Sequence, residues 1–225
     1  MPNGLSPSQR VLKRGFDVFG AAIGLALTFW LIALAWLAAT IDTRANGFFI
    51  QRRVGSHGRT FPVIKLRTMR VVPGLDSTVT TGGDPRITPV GRLLRRAKLD
   101  ELPQLVNVLL GQMSFVGPRP DVPGYADALT GADWVILSVR PGITGPATLK
   151  YRDEEILLAS VDDPAAYNRE VIWPDKVRLN REAARREAHA RLHGIYRERF
   201  EARDPDLPPL FPDPARYLRT AGWVA

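Results

Sequence analysis

The chain has 225 residues, enough for one compact domain together with a membrane element and a tail. It contains 31 Lys and Arg residues against 23 Asp and Glu residues, and the formal net charge of +8 favours polyanionic partners: nucleic acid, anionic lipid headgroups or a phosphorylated substrate. Cysteine is absent, which excludes disulfides, thiolate chemistry and the usual zinc frameworks and suits a catalytic body in a reducing cytoplasm.

The first predicted element is a long apolar helix. Residues 18–41 carry no ionisable side chain, and Thr28 and Thr40 are their only hydroxyl residues. This run exceeds the length of about 20 residues that crosses a hydrocarbon core. It is too long for the apolar region of a signal peptide, and no small-residue cleavage pattern precedes residue 42. The alternative is a buried core helix, but a run without a polar face is unusual in a soluble domain.

Basic residues flank the apolar run on both sides, at positions 10, 13 and 14 and at positions 44, 52 and 53. The preference of Lys and Arg for the cytoplasmic side therefore applies to both ends. A spanning helix would place one cluster outside, whereas a helix that bends within the membrane and returns to the same face satisfies both. Such a bend needs partners for the freed backbone groups. Thr28 lies near the middle and a proline does not, so we expect a re-entrant helix interrupted near Thr28.

The next segment is predicted to be a small β element. Apolar residues at 48–50 and 61–64 flank a loop at 55–58 that is rich in turn residues. Residues 71–85 lack periodicity and are typical of a mobile loop.

Two short helices follow. Thr88 is a predicted N-cap with Pro89 in the first turn, and the arginines between Leu93, Leu94 and Ala97 predict a basic amphipathic helix that suits a membrane surface or an anion site. Apolar positions 102, 105, 106 and 109 predict a second helix that ends at Gly111. Pro103 disfavours one straight helix through 89–110. We therefore expect a break at residues 98–99, with Asp100 as the new N-cap and Pro103 in the first turn.

The remainder contains Gly/Pro turns at 117–120 and 140–145, helical patterns at 153–160 and 175–200, and a proline-rich tail from Asp204. The predicted fold class is mainly helical α+β. Residues 1–44 form a re-entrant membrane helix with basic flanks. Residues 45–180 form a catalytic domain with amphipathic surface helices and a small β element, and residues 181–225 form a charged helix and tail.

Asp100 and Glu101 are the strongest candidates for chemistry. Adjacent carboxylates at a helix start also occur simply as caps. Here basic residues lie at positions 92, 95, 96 and 98, Arg119 lies in a rigid turn, and Lys65 follows an apolar strand. One carboxylate can hold Mg²⁺ on a phosphate while guanidinium groups bind its other oxygens, and a second can attack phosphorus to give an acyl phosphate. The sequence therefore predicts a metal-assisted reaction on a phosphate ester near a membrane.

Two other patterns imitate metal sites. His189 and His193 are four residues apart, but no acidic third ligand follows at helical spacing, which is typical of a solvated surface. The Asp204–Asp206 pair in the proline-rich tail is interpreted as accidental. The phosphate-binding loop of P-loop NTPases does not occur in the sequence.

Two consecutive segments, LDELPQLVNVL at 99–109 and GQMSFVGPRP at 111–120, resemble the signature of the bacterial sugar transferases. These are small monotopic phosphoglycosyl transferases that initiate surface glycan assembly. Four further segments agree in order and spacing, at residues 13–17, 48–55, 65–69 and 140–145. The resemblance covers about residues 10–180, and six ordered segments are far more specific than one motif.

The resemblance implies roles for particular residues. Asp100 would be the nucleophile and Glu101 the Mg²⁺ ligand, Arg95 and Arg119 would bind phosphate, and Lys65 would line the same pocket. The implied reaction is attack on the β-phosphate of a UDP-sugar, release of UMP, and transfer of the phosphosugar to undecaprenyl phosphate. It also implies contact with membrane lipids, a catalytic domain on the cytoplasmic face of the bacterial inner membrane, and no nucleic acid partner, and it allows a homodimer.

The chain departs from the family pattern at three places. Phe29-Trp30 stands where the family usually breaks its membrane helix with a Ser-Pro pair. Lys98 replaces the usual Ser two residues before the nucleophile and is expected to tune Asp100 electrostatically. A charged segment at 181–199 replaces an apolar ending, and we assign it no role.

Two hypotheses from other classes compete with this one. A membrane-tethered binding module without catalysis, such as a scaffold for glycan synthesis, would not need Asp100 and Glu101 near Arg119, and an assay of UMP release separates the two. A nucleic-acid binder would leave the apolar run unexplained, and its basic runs would lack the interleaved aromatic residues that stack on bases.

Overall fold

A computed structural model describes residues 7–73, 80–81 and 83–196, which form seven α-helices and four short strands. In chain order these are α1 (Pro7–Thr43), β1 (Phe48–Val54), β2 (Thr60–Leu66), α2 (Pro89–Arg96), α3 (Gln104–Leu109), β3 (Ser114–Val116), β4 (Gly142–Thr144), α4 (Pro146–Lys150), α5 (Glu154–Ala159), α6 (Pro164–Tyr167) and α7 (Trp173–Tyr196). Short 3₁₀ turns and one π-helical turn (Asn168–Ile172) connect them. The predicted class, mainly helical with a small β component, is confirmed.

Helix α1 is 37 residues long, and it is the one helix in the described ranges that is long and apolar enough to cross a membrane. It is α-helical throughout, so the predicted interruption near Thr28 is not present. The Thr28 hydroxyl donates instead to the Gly24 carbonyl of the same helix, at 2.6 Å. That bond satisfies the hydroxyl within the apolar run and commonly bends a helix slightly. A re-entrant course stays a prediction.

The first half of α1 is fastened to the rest of the chain by buried polar contacts. Arg14 donates to the carbonyls of Val108 and Leu109, at 2.7 and 2.9 Å, at the end of α3. Asp17 is 3% exposed, and its carboxylate accepts from the hydroxyl of Ser114 at 3.1 Å. These contacts explain why the helix carries Arg14 and Asp17 just before its apolar run.

The second half of α1 packs on the hairpin and on α2. Ile32, Ala35 and Ala39 are buried against Leu66 and Leu94.

Helix α1 exposes large apolar side chains on its remaining surface, and only 17% of its most apolar window is buried. A core helix of a soluble domain is therefore excluded. The exposed residues are Val11, Leu12, Phe16, Val18, Phe19, Ile23, Leu27, Phe29, Trp30, Leu34, Leu37 and Ile41.

Strands β1 and β2 form the predicted hairpin, an antiparallel pair that runs from Phe48 opposite Leu66 to Val54 opposite Thr60. Asn107 of α3, which is fully buried, fixes this hairpin. Its amide donates to the Pro62 carbonyl at 2.7 Å and its oxygen accepts from the Ile64 amide at 3.1 Å. Because these bonds set β2 against α3, they also set Lys65 against the turn that precedes α3.

The segment between α2 and α3 differs from the prediction in one respect. Thr88 caps α2, since its hydroxyl accepts from the Gly91 amide at 3.0 Å, and the break falls at Lys98, which adopts a left-handed conformation with φ 57°. Asp100, however, is not an N-cap; it lies in the 3₁₀ turn Leu99–Glu101, and Pro103 directly precedes α3. The prediction was wrong because backbone bonds of that turn, such as Leu102 N–H to the Leu99 carbonyl at 3.2 Å, already continue into the helix.

The two Gly/Pro turns lie against each other. Strands β3 and β4 pair in parallel, with Ser114 opposite Gly142 and Val116 opposite Thr144. A Cβ atom on Gly117 would lie 2.4 Å from the Arg140 carbonyl oxygen, so this close approach requires glycine. The loop that carries Arg119 is thereby held in place.

The helical patterns at 153–160 and 175–200 are confirmed as far as Tyr196, by α5 and α7. The side chains of His189 and His193 and the Asp204–Asp206 pair lie outside what the structure describes.

Candidate active site

The two adjacent carboxylates lie where three segments meet: the end of β2, the 3₁₀ turn Leu99–Glu101 and the loop after β3. Oε1 of Glu101 accepts from Nη2 of Arg119 at 2.5 Å and from Nζ of Lys65 at 3.5 Å. Oε2 of Glu101 accepts from Nη1 of Arg119 at 3.4 Å. The structure thus joins three of the predicted site residues, which lie far apart in the sequence, in one ion cluster.

The cluster fixes the charge of two of its members. Burial alone would raise the pKa of Glu101, but the charges of Arg119 and Lys65 lower it to about 2. Burial, together with the charge of Arg119, lowers the pKa of Lys65 to about 8. At neutral pH Glu101 is therefore an anion and Lys65 is still mainly a cation.

Asp100 has the opposite electrostatics. Burial raises the pKa of Asp100 and the charge of Glu101 raises it further, against the lowering effect of Lys65 and other cations. Oδ1 of Asp100 is buried and has no hydrogen-bond partner in the described part of the chain. A buried acceptor without a donor is costly, and in native proteins such an atom has a water, an ion or a functional role to account for it.

Arg95 is close to Asp100 but is not bound to it. Its guanidinium donates to the Glu155 carboxylate of α5 and, at 3.3 Å, to the Thr68 hydroxyl. The prediction that Arg95 binds phosphate therefore requires that phosphate either displaces Glu155 or binds Arg95 together with it. Glu155 was missed by the sequence analysis, since no local pattern relates positions 60 residues apart.

Sequence reasoning also missed three residues around the cluster. Arg53 and Gln104 line a small cavity with Val63, Lys65, Arg119 and Pro120. Asp121 follows the Arg119 loop, and burial raises its pKa to about 6 in spite of nearby Lys176 and Arg53. Arg53 and Gln104 lie inside motifs that the sequence analysis singled out, so these motifs could have identified them. For Asp121 the sequence offered only its position two residues after Arg119.

A larger cavity, of about 300 Å³, lies between the 3₁₀ helix Gly131–Ser138 and α7. Trp173 and Arg181 line it, and none of the carboxylate-cluster residues does. Lys65 and Arg119 of the ion cluster line the smaller cavity instead, whereas Asp100 and Glu101 are not among its lining residues.

The carboxylate pair was tested as a magnesium site. The described residues include no group of three or more His, Asp or Glu side chains arranged to hold a metal. Mg²⁺, however, is commonly held by one or two carboxylates, with waters and substrate phosphates as its other ligands. An unpartnered oxygen on Asp100 beside the ionised Glu101 fits that donor set.

Comparison with known families settles the relationship. Residues 8–178 match the family model of the bacterial sugar transferases. The chain belongs to the bacterial sugar transferase family.

Curated relatives support this assignment. A UDP-glucose:undecaprenyl-phosphate glucose-1-phosphate transferase of Caulobacter vibrioides is 42% identical over 142 residues, which are 61% of this chain and 53% of the relative. The exopolysaccharide production protein ExoY of Rhizobium meliloti is 36% identical over 155 residues, 62% of this chain and 69% of the relative. An undecaprenyl-phosphate galactose phosphotransferase of Salmonella typhimurium is 37% identical over 154 residues, 61% of this chain and 32% of the relative. The chain thus spans about half of the first relative and a third of the last.

The raised pKa of Asp121 predicts a pH-dependent stability for this bacterial sugar transferase. Between pH 4 and about 6 the folded chain binds more protons at Asp121 than the unfolded chain, so the stability contribution of this group falls as the pH rises. Asp121→Asn mimics the neutral acid. We expect its Tm in detergent to exceed that of the wild type at pH 8, by about 2–4 °C for each kcal/mol gained in the free energy of unfolding. Near pH 4 the difference in Tm should vanish.

The control is Asp162→Asn, which changes an exposed carboxylate and should shift Tm equally little at both pH values. A lower Tm for Asp121→Asn at pH 8 would show that the ionised carboxylate stabilises the fold.

Proposed function

We propose that this protein transfers a sugar 1-phosphate from a UDP-sugar to undecaprenyl phosphate at the cytoplasmic face of the bacterial inner membrane, releasing UMP. The observation that carries the proposal is the buried Asp100 oxygen, which lies without a partner beside Glu101, Lys65 and Arg119. The names of two relatives, a glucose-1-phosphate transferase and a galactose phosphotransferase that both act on undecaprenyl phosphate, support the acceptor and the class of donor.

The proposed transfer has two steps. A carboxylate oxygen of Asp100 attacks the β-phosphorus of the UDP-sugar, and the bond from this phosphorus to the bridging oxygen breaks. UMP leaves with the electron pair, and the sugar phosphate remains on Asp100 as an acyl phosphate. A phosphate oxygen of undecaprenyl phosphate then attacks the same phosphorus and frees the Asp100 carboxylate.

The surrounding residues support both steps. Burial removes water from the Asp100 carboxylate, which leaves its oxygens available for attack. Arg119 and Lys65 are held by Glu101 in positions from which they can also donate to phosphoryl oxygens. Arg95 joins them when Glu155 gives way.

Glu101 is the residue that would hold Mg²⁺ beside the phosphate. When bound, the ion neutralises phosphate oxygens and stabilises the charge that develops on them. The low pKa of Glu101, about 2, keeps this ligand ionised at every physiological pH.

The contacts of α1 support placing both of its ends on the cytoplasmic side. Arg14 and Asp42 are 28 positions apart, about 40 Å along a straight helix, which exceeds a hydrocarbon core of about 30 Å. The same globular body contacts both residues, since Asp42 accepts from the Val90 amide at 3.0 Å and Arg14 donates to Val108. If α1 crossed the bilayer, that charged body would have to lie within the hydrocarbon, at a high cost.

The scaffold hypothesis explains α1 and the charge but gives no reason for a buried carboxylate oxygen without a donor. That observation favours the enzyme.

The first prediction concerns the nucleophile. Asp100→Asn should lose UMP release by roughly 10⁴-fold or more, as expected when a nucleophile is removed, without loss of folding. Intact-protein mass spectrometry of the wild type with a UDP-sugar and no lipid acceptor should show one phosphosugar adduct. The control Asp162→Asn should keep the adduct. Near-normal turnover by Asp100→Asn would exclude the covalent mechanism.

The second prediction concerns the metal. EDTA should abolish UMP release, and Mg²⁺ or Mn²⁺ should restore it, because Glu101 and phosphate oxygens are hard ligands. Glu101→Gln should lose both the rate and the response to added Mg²⁺. Undiminished activity in EDTA would rule out the metal.

The third prediction concerns topology. The native chain has no cysteine, so Ser6→Cys provides a single probe before α1 and Ser160→Cys one on the globular body. In intact cells neither should react with a membrane-impermeant maleimide, and both should react after permeabilisation. Labelling of Ser6→Cys in intact cells would show that α1 spans the membrane.

A further inference from the structure

Gln104 places an unused hydrogen-bond donor in the candidate site. It is the first residue of α3, three positions after Glu101, and it is 2% exposed. Its Nε2 atom is buried and has no acceptor among the residues that the structure describes. The side chain lines the small cavity together with Arg53, Lys65 and Arg119.

Asn107, three residues later on the same helix, shows what a structural amide does here. Its oxygen accepts from the Ile64 amide, and its nitrogen donates to the Pro62 carbonyl and to Oε1 of Gln112, both at 2.7 Å. Gln104 is also buried, but its Nε2 atom makes no hydrogen bond with the described part of the chain. A buried donor without an acceptor costs about 1–3 kcal/mol, so this atom needs an acceptor from outside the described chain, either a water or an atom of a ligand.

The other polar groups of the cavity define that ligand. Arg53, Lys65 and Arg119 are donors, like the Gln104 amide nitrogen. Glu101 accepts from Lys65 and Arg119, whereas Arg53 donates to two neutral oxygens, Oε1 of Gln51 at 2.7 Å and the Pro120 carbonyl at 3.5 Å. A site surrounded by donors favours a compact anion.

The size of the cavity further limits which part of a ligand can enter it. It has room for about one water-sized group, so a uracil or a sugar ring does not fit. An oxygen of a phosphoryl group does.

We propose that Gln104 is a catalytic residue whose Nε2 donates a hydrogen bond to a non-bridging oxygen of the phosphoryl group that Asp100 attacks, with Arg53 as a second donor in the same subsite. This assignment rests on the proposed function. A neutral amide orients the phosphoryl group without adding a fourth cation, so it neither competes with Mg²⁺ nor lowers the nucleophilicity of Asp100 through its charge.

Two substitutions at Gln104 test the assignment. Gln104→Met keeps the length of the side chain without the donor, and Gln104→Glu keeps its shape but replaces the donor with a charged acceptor. Binding of inorganic pyrophosphate with Mg²⁺ is measured by calorimetry, and UMP release is measured without lipid acceptor. We expect Gln104→Met to weaken pyrophosphate binding and to slow UMP release by about 10-fold or more each, as for other hydrogen bonds to charged groups, and Gln104→Glu to lower both further.

A structural role would give a different result. Because the donor has no acceptor in the described chain, Gln104→Met should keep or raise Tm. A UDP-sugar with sulfur at the non-bridging β-position should slow the wild type more than Gln104→Met, since sulfur accepts hydrogen bonds weakly. The matched control is Gln112→Met, which removes the acceptor of Asn107; it should lower Tm and leave the sulfur effect at the wild-type value.

The results separate the two proposals. If the wild type releases UMP but Gln104→Met binds pyrophosphate as tightly as the wild type does, the role of Gln104 is overturned. The proposed function is not affected by that result. Wild-type behaviour of Gln104→Glu also overturns the role of Gln104, because the amide oxygen would then face the cations. Failure of the wild type to release UMP from any UDP-sugar overturns the proposed function, whatever the variants bind.

Discussion

The ion cluster of Glu101 with Arg119 and Lys65 is the interaction on which the site depends. The two cations hold Glu101 ionised, whereas burial, and after it the charge of Glu101, raises the pKa of Asp100. Two neighbouring carboxylates thereby acquire different properties, as in enzymes that assign different roles to paired acids. Loss of Glu101 would leave Lys65 and the partly exposed Arg119 without the anion that holds them together. The cluster therefore connects the packing of three chain segments with the charges of the candidate site.

The backbone around the pair is shaped to bring it there. Lys98 adopts a left-handed conformation, which costs a residue with a Cβ atom about 1–2 kcal/mol, and this turn directs the chain out of α2 and into the 3₁₀ turn. Lys98 stands where the family resemblance would place a Ser, and its charge lowers the pKa of Asp100, in opposition to burial. The effect of Lys98 on Asp100 has the expected sign but is smaller than the effects of Lys65 and Arg95, and the role of Asp100 as nucleophile stays a prediction.

Local chemistry made much of the fold predictable. The turn residues between two apolar segments gave the hairpin, and Thr88 with Pro89 gave the start of α2. Pro103 placed the break at Lys98 correctly, because a proline inside a helix removes a backbone donor wherever it occurs. The same reasoning assigned Asp100 a capping role that it does not have. Residue preferences do not reveal whether the hydrogen bonds of a 3₁₀ turn already pair the backbone groups at the start of the helix. The ion pair of Arg95 with Glu155 and the burial of Asp121 depend on long-range packing, which no local pattern records.

Helix α3 connects the membrane element to the site. Arg14 of α1 binds the carbonyls at the end of α3, where a cation also complements the helix dipole. The other end of α3 begins at Gln104, three residues after Glu101. The two ends are about 9 Å apart, since the helix has six residues. Because α3 is short and mostly buried, it ties the position of the carboxylate pair to that of α1. In the proposed transfer to undecaprenyl phosphate, this connection would decide whether the acceptor phosphate reaches Asp100.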